Sequence, residues 1–262
     1  IKLNPDHKGT LALLLTSDEE GKAINGTGKV IEYLTAKGIN IRWGIVGEPS
    51  SQEKTGDTIK NGRRGSLTGH LTAFGVQGHV AYPESATNPI HEVMPMLTEL
   101  CSIIWDNGNE HYPPTTFQIS NINAGTGADN VIPGSAKVQF NFRYSTEVSE
   151  QQLIEKVEAM LDKQGVRYEI NWLPSSKPFL TTGGELLTTV KDVIRDITGA
   201  SPEVTTTGGT SDGRFVAPTG AEIVELGPVN QTIHRVNEHV KVEDLEILST
   251  MYERVIRTLL AE

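Results

Sequence analysis

Three consecutive acidic residues, Asp18, Glu19 and Glu20, stand just after the apolar run at residues 11–15. A continuous apolar run of this length predicts a strand buried on both faces of a parallel sheet. In open α/β sheets the chemistry lies beyond the carboxyl ends of the strands, so we expect these carboxylates to share a small volume there. Crowded carboxylates usually need a cation. The simpler alternative is a polar loop of solvated acids.

Two further predicted strands end in the same way. Glu48 follows the strand predicted at residues 41–46, and His234 lies in the loop after the strand predicted at residues 221–226. A lone histidine is more often a hydrogen-bonded surface or core residue than a ligand. Three loops at one sheet edge change that balance, because carboxylate oxygens and a neutral imidazole are ligands that zinc accepts. Glu20, Glu48 and His234 are therefore candidates for a shared metal site.

Composition limits the class of protein. The chain has 262 residues, and its net charge of −10 argues against a nucleic-acid partner or an anionic membrane. The single cysteine, Cys101, excludes an intrachain disulfide framework. Without a long apolar stretch or a signal peptide, we expect a cytoplasmic protein. The chain begins at Ile1 rather than at a methionine, which leads us to expect a fragment or a processed product.

The elements that must position these residues change character twice along the chain. Residues 1–64 alternate strand and helix, with a helix at residues 27–37 that Thr27 is expected to cap. From Gly65 the pattern becomes that of antiparallel strands, and residues 65–176 follow the order β-α-β-β-α-β of a ferredoxin-like split unit. The α/β pattern returns in residues 177–262, which include a long amphipathic helix at residues 242–260. We therefore predict an α/β fold, split by an inserted α+β domain.

A glycine-rich loop in the last third of the chain could bind an anion. Residues 207–215 offer glycine amides, hydroxyl groups and the guanidinium of Arg214. Their spacing matches neither a phosphate loop nor a dinucleotide fingerprint, which argues against a nucleotide-binding fold. A flexible surface loop is the alternative.

Five motifs in order resemble one known family. They are Ser17-Asp18-Glu19-Glu20-Gly21, Gly47-Glu48-Pro49, Gly78-His79-Val80-Ala81-Tyr82-Pro83, Gly209-Thr210-Ser211-Asp212 and the loop around His234. Together they resemble the dinuclear zinc aminoacylases and carboxypeptidases, and the resemblance runs from end to end. It implies a split zinc-peptidase-like catalytic domain, residues 1–64 and 177–262, interrupted by a dimerisation or lid domain at residues 65–176. It also implies a homodimer formed through that inserted domain.

The resemblance also implies roles for individual residues. Glu19 is the implied general base, Glu20 and Glu48 are implied terminal ligands to two different zinc or cobalt ions, and His234 joins Glu20 on its ion. His79 is implied to stabilise the oxyanion in the site of the second subunit, although by itself it reads as a turn histidine. The family also uses a histidine and a bridging aspartate from a segment upstream of residue 1. We therefore expect the two-metal site to be incomplete, and this chain alone to be inactive.

Charge suggests the kind of substrate. Three arginines in or beside the motifs, Arg63, Arg143 and Arg214, suit a small N-acylated amino acid that carries several carboxylates. The resemblance adds further substrate contacts: Ser66, Tyr82, Asn130, Gly209, Thr210 and Asn230. Two alternatives stay open, namely another deacylase or aminopeptidase of the family, such as one like acetylornithine deacetylase, and a non-enzymatic dimerisation module.

Overall fold

The structure is a computed structural model that describes residues 6–21 and 23–260. The helices are α1 (Thr27–Ala36), α2 (Pro89–Ser102), α3 (Glu150–Gln164), α4 (Glu185–Thr198), α5 (Gly213–Val216) and α6 (Val242–Leu260). The strands are β1 (Trp43–Val46), β2 (Thr58–Lys60), β3 (Gly62–Arg63), β4 (Gly65–Phe74), β5 (Gly78–His79), β6 (Thr116–Ala124), β7 (Val131–Ile132), β8 (Ser135–Tyr144), β9 (Arg167–Ser176), β10 (Phe179–Leu180), β11 (Glu203–Thr205) and β12 (Glu222–Glu225). None of the helices in these ranges combines the length and the apolar composition that a membrane span requires.

The chain divides into two compact units. The split unit comprises Ile1–Arg63 and Phe179–Glu262, and the inserted unit comprises Arg64–Pro178. These boundaries lie within two residues of those expected at positions 64/65 and 176/177.

The split unit contains a four-stranded mixed sheet in the order β1-β12-β2-β11. β1 runs parallel to β12 and β11 runs parallel to β2, while β12 and β2 meet in an antiparallel pair. Its apolar core combines Ile59 and Val224 of the sheet with one face each of α4 and α6. The helix predicted at residues 242–260 has the bounds of α6.

The prediction of a buried strand at residues 11–15 is wrong, because the structure forms no strand there. Residues 6–21 form turns and irregular backbone, and Leu13 and Leu15 are 84% and 82% exposed. A buried strand needs a neighbour on each side, and the run pairs with no described strand. β1 is consequently an edge strand of the described sheet.

The inserted unit is an antiparallel sheet in the order β6-β8-β4-β9, with α2 and α3 packed on one face. The central pair runs in unbroken register from Gly65 opposite Tyr144 to Phe74 opposite Ser135. Gly65 has to lack a side chain, because the ring of Tyr144 occupies the space that a Cβ would take. The predicted ferredoxin-like order is confirmed.

Local sequence signals explain where α3 begins and ends. Ser149 and Gln152 form the predicted capping box, in which the Ser149 hydroxyl accepts from the Gln152 N–H at 3.2 Å and Gln152 Oε1 accepts from the Ser149 N–H at 2.9 Å. Gly165 ends the helix in the left-handed conformation, at φ 70°.

Candidate metal and catalytic centre

Asp18 closes the acidic loop, by which we mean the described residues between Thr16 and Thr27. Its Oδ2 accepts from the N–H of Ile24 at 2.7 Å and from that of Asn25 at 3.1 Å. These bonds occupy one oxygen of the Asp18 carboxylate within the loop. Asp18 therefore has a structural role within the loop, and Glu19 and Glu20 are the two acids of the motif that we consider for catalysis and metal binding.

Glu20 lies beside His234. Glu20 Oε1 and His234 Nε2 are 3.5 Å apart, and both side chains are largely exposed. The backbone of His234 adopts φ 58°, which is uncommon for a residue other than glycine, and its N–H donates to the Glu238 carboxylate at 3.2 Å. A left-handed histidine held by a local hydrogen bond points to a constrained functional position. The structure thus brings together two of the three predicted metal ligands.

Glu48 follows β1 and is half-buried. Burial raises its pKa to about 7, with further increases from the negative charges of Glu19, Glu225 and Glu20 and a decrease from Arg63. Glu48, the third predicted ligand, is therefore close enough to Glu19 and Glu20 for their charges to raise its pKa. The carboxyl ends of β1 and β12 lie side by side in the sheet, whereas Glu20 follows no described strand.

Hydroxyl groups bond the Glu48 loop to the loop that leads to His234. Ser51 Oγ donates to the carbonyl of Gly227 at 2.7 Å, and Ser50 Oγ accepts from the Gly227 N–H at 3.1 Å. Gly227 itself lies against the backbone of Glu48, where a Cβ would overlap the Glu48 carbonyl. The two ligand-bearing loops are thus fixed to each other by buried bonds and a close backbone approach.

Glu19 has a charged neighbourhood of both signs. Burial raises its pKa, and the charges of Glu20 and Asp212 raise it further, whereas Arg214 and His234 lower it. An upward shift of a carboxyl pKa makes the carboxylate a stronger base, which is the direction that a general base needs.

The donor types fit a divalent cation, but as a partial set. Carboxylates that raise one another's pKa are stabilised by a bound cation, and imidazole and carboxylate are both zinc ligands. Among residues 6–21 and 23–260, no group of three or more His, Cys, Asp and Glu side chains is arranged to hold a metal ion. Of the predicted metal ligands, Glu20 and His234 are the pair whose side chains approach each other closely in the described residues.

Arg63, a predicted substrate contact, is held by buried partners within the split unit, and its role in substrate binding remains a prediction. It lies on β3, is 6% exposed, and donates from Nε to the two Glu225 carboxylate oxygens at 3.0 and 2.9 Å. Its Nη1 donates to the Thr207 carbonyl at 2.7 Å. Arg63 thus anchors the start of the glycine-rich loop.

The same loop has a second buried anchor that sequence reasoning missed. Ser211 Oγ donates to Glu225 Oε1 at 2.5 Å, and both residues are fully buried. Lys60 Nζ donates to Thr207 Oγ1 at 3.0 Å, and burial, followed by the charge of Arg63, lowers the pKa of Lys60. The signal for Glu225 was an acid between the apolar residues Val224 and Leu226, since a buried charge needs a partner.

Gly209, Thr210 and Asn230 lie on these loops. A Cβ on Gly209 would meet no heavy atom within 4 Å, so its backbone faces open space. Asn230 is held by its main chain, with its N–H donating to the Ser51 carbonyl at 3.0 Å and its carbonyl accepting from Ile233 at 3.1 Å. Roles in substrate binding remain predictions for all three.

Asp212 belongs to one of the five motifs, but the sequence analysis gave it no role. Its Oδ2 accepts from Thr27 Oγ1 at 2.5 Å and from Thr16 Oγ1 at 3.3 Å. The expectation that Thr27 caps α1 is wrong, because Gly26 occupies the N-cap position and the Thr27 hydroxyl donates to Asp212 instead.

In the inserted unit, His79 has a defined tautomer. Its Nδ1 accepts from the Ala81 N–H at 3.0 Å, so the neutral ring carries its proton on Nε2. The side chain is exposed on the short strand β5, with the Tyr82 ring centroid 5.7 Å away. The N–H of the adjacent Val80 donates to the Asn130 carbonyl at 3.1 Å, which brings the Asn130 turn to this strand.

Ser66 and Arg143 occupy the central pair of the inserted sheet, where they are register partners. Ser66 is 3% exposed, and its hydroxyl accepts from Asn141 Nδ2 at 3.1 Å. The hydroxyl thus accepts a hydrogen bond within the sheet, and the role of Ser66 as a substrate contact remains a prediction. Arg143 is only partly exposed.

Comparisons with known proteins agree with the motifs. The peptidase dimerisation domain (M20_dimer) matches residues 61–169. Two curated relatives are the succinyl-diaminopimelate desuccinylases of Thioalkalivibrio sulfidiphilus, 57% identical, and Nitrosococcus oceani, 60% identical. Each alignment covers 262 residues, which is 100% of this chain and 70% of the relative.

Solved structures share the fold. A tripeptidase from Staphylococcus aureus has a TM-score of 0.75 at 19% identity and covers 94% of this chain and 63% of its own. An M20 family metallo-carboxypeptidase from Sulfolobus solfataricus also has a TM-score of 0.75, at 16% identity, over 92% of this chain and 68% of its own. A dinuclear metal binding peptidase of the M20 family from Bacillus subtilis has a TM-score of 0.64 at 17% identity. The match covers 94% of this chain and 64% of that peptidase.

Proposed function

Because the chain belongs to the succinyl-diaminopimelate desuccinylase family, we propose that the full-length protein carries out the reaction of its relatives: metal-dependent hydrolysis of the amide that joins succinate to N-succinyl-LL-2,6-diaminopimelate. This reaction belongs to diaminopimelate and lysine biosynthesis. The expectation that this chain alone is inactive is part of the proposal. The observation that carries the proposal is the approach of His234 to Glu20, at 3.5 Å, beside Glu19 and at the edge that also holds Glu48.

Glu20 and His234 are proposed to hold one divalent ion and Glu48 a second, either zinc or cobalt. Bound there, the ions supply Lewis-acid polarisation of the amide carbonyl. The M20 structures that share this fold include a metallo-carboxypeptidase and a dinuclear metal binding peptidase, which supports metal dependence.

Glu19 is the proposed general base and, later, the general acid. It takes the proton of the attacking water and passes it to the amine that leaves the cleaved amide. Its raised pKa supports the first of these steps, because a stronger base takes up the proton of the water more readily.

His79 is proposed to donate a hydrogen bond from Nε2–H to the oxyanion of the tetrahedral intermediate. The bond from Ala81 to Nδ1 fixes the tautomer that this role needs. The M20_dimer match supports a homodimer through residues 65–176, and we propose that His79 serves the site of the second subunit.

Substrate carboxylates are proposed to bind Arg214 and Arg143 and the loop amides around Gly209 and Thr210, with Tyr82, Asn130 and Asn230 as further contacts. Arg63 and Ser66 are proposed as further substrate contacts, and Arg63 also holds the Thr207 carbonyl.

Hydrolysis by the full-length, zinc-loaded protein tests the proposal. Succinate release from N-succinyl-LL-2,6-diaminopimelate is compared with deacetylation of N-acetylornithine and cleavage of a tripeptide. We expect kcat/KM for the succinyl substrate to exceed that for each of the other two roughly 10²-fold or more. A substrate without the matching carboxylates would leave polar groups of the site unpaired, which costs transition-state binding. Equal or greater activity on N-acetylornithine or the tripeptide, or no hydrolysis of the succinyl amide, would overturn it.

A further inference from the structure

Asp212 joins the two ends of the acidic loop. Thr16 stands immediately before this loop and Thr27 immediately after it, and one oxygen of Asp212 accepts from both hydroxyls, at 3.3 and 2.5 Å. Each bond spans a long stretch of sequence, so neither is a by-product of local turn geometry. The ends of the loop are therefore held from outside the loop.

The segment that carries Asp212 is itself fixed. The preceding residue, Ser211, donates to the fully buried carboxylate of Glu225. On the other side, Phe215 packs against the start of α1, where a Cβ on Gly28 would come within 3.3 Å of its ring. Asp212 thus sits between a rigid anchor and the loop that it bonds.

The start of α1 does not supply this rigidity by itself. Gly26 is the N-cap residue and brings no side chain, and the hydroxyl of Thr27 donates to Asp212. A side-chain cap ordinarily fixes the entry of the chain into a helix. Here the contact with Asp212 takes its place.

We propose that Asp212 is a positioning residue, which bonds Thr16 and Thr27 so that Glu19 and Glu20 face His234 and Glu48. It acts through the loop and does not touch the reacting atoms. The inference rests on the proposed function, because its kinetic test uses the proposed substrate. A second test, by hydrogen exchange, needs no substrate.

The kinetic test uses the full-length, zinc-loaded protein with N-succinyl-LL-2,6-diaminopimelate. Thr27→Val removes the hydroxyl and keeps the shape, Thr27→Ser restores the hydroxyl, and Thr250→Val removes a matched helical hydroxyl on α6. We expect Thr27→Val to lower kcat roughly 10-fold or more with KM within about threefold, because small displacements of catalytic groups cost rate. Thr27→Ser should recover most of the loss. A Thr27→Val enzyme with unchanged kcat, or a loss that Thr27→Ser does not recover, would overturn the inference.

Amide hydrogen exchange tests the inference without substrate. In Thr27→Val and in Asp212→Ala, the N–H groups of Ala23, Ile24 and Asn25 should exchange roughly 10-fold or more faster, since local opening governs their protection. Amides of β4 and β8 should keep their rates. Unchanged exchange in the acidic loop, or equally faster exchange throughout the protein, would overturn the positioning role. If the unsubstituted protein does not hydrolyse the succinyl amide, the proposed function fails, and the exchange result alone decides on Asp212.

Discussion

Arg63 and Glu225 form an ion pair that is almost fully shielded from water, with 7% and 0% of their side chains exposed. Arg63 Nε donates to both carboxylate oxygens of Glu225, and Ser211 adds a further bond to the same group. Removing two charges from water costs several kcal/mol each, and their attraction offsets that cost only when the geometry is good and the remaining polar atoms are bonded. The pair therefore belongs to the framework of the glycine-rich loop.

Breaking this pair should be costly. Glu225→Gln or Arg63→Met leaves one buried charge uncompensated, and we expect each to lower the free energy of unfolding by about 3–5 kcal/mol. Urea denaturation followed by circular dichroism measures the loss. Replacing both residues by methionine should recover part of it, because no lone charge is then buried.

The exposed pair of Arg42 and Glu185 is the matched control, with 72% and 53% of its side chains exposed. Its loss should cost about 0–1 kcal/mol. Equal losses for the buried and the exposed pair would contradict the framework role.

Glu19→Gln should separate metal binding from turnover. In the full-length protein we expect its metal content to stay near normal while kcat falls roughly 10²-fold or more, as for loss of a positioned general base. Metal analysis and steady-state kinetics are measured together, with Glu20→Gln as the comparison that should lose metal. A Glu19→Gln protein that lost as much metal as Glu20→Gln would identify Glu19 as a ligand instead.

Asp57 should make stability depend on acid pH. Burial favours its neutral form, but the N–H groups of Gln52, Lys54 and Glu53 donate to its carboxylate and outweigh that effect, so its pKa is lowered in the folded state. A lowered carboxyl pKa stabilises the fold above the unfolded value of 3.8 and loses that contribution as the pH falls through the folded value.

Asp57→Asn is therefore expected to be less stable than the unsubstituted protein at pH 7, by about 0.5–2 kcal/mol, the range for a lost side-chain cap of backbone N–H groups. The difference should shrink at pH 3. Urea midpoints at the two pH values measure it, with the exposed Asp196→Asn as control. A difference that is constant with pH would exclude the ionised Asp57 as its source.

Mixed dimers should show which subunit His79 serves. Glu19→Gln and His79→Ala homodimers are each expected to be nearly inactive. If His79 acts in the neighbouring site, a mixed dimer has one site with both residues intact, and random subunit exchange should restore about a quarter of the unsubstituted activity. Absence of restored activity, with exchange verified by mass spectrometry, would place His79 in the site of its own subunit.

Local patterns predicted the fold where local physics decides it. The capping box at Ser149 and the stripe of α6 were read correctly, because capping and helical periodicity depend on residues a few positions apart. The family inferred from five motifs is the family of the relatives. The run at residues 11–15 was misread, since the burial of an apolar strand depends on neighbours that its own sequence does not contain.

The candidate centre also has parts that the local sequence could indicate and parts that it could not. The strand-end argument applies to Glu48 and His234, which follow the parallel neighbours β1 and β12, but not to Glu20, which lies near His234 without a strand before it. All three remain predicted ligands. Nothing in the local sequence indicated that Thr27 donates to Asp212, or that Arg63 is paired with Glu225, since each contact joins distant segments. Short strands such as β3 and β10, of two residues each, carry too little alternation to be recognised.

The exposed leucines of residues 11–15 bear on how this chain behaves at high concentration. Leu13 and Leu15 are largely exposed, and among the described strands β1 has a neighbour, β12, on one side only. Apolar segments and open strand edges are the two features through which copies of a protein add to one another. We accordingly expect the aggregated fraction of the chain to rise with its concentration. The double substitution Leu13→Lys and Leu15→Lys should lower that fraction without altering either apolar core.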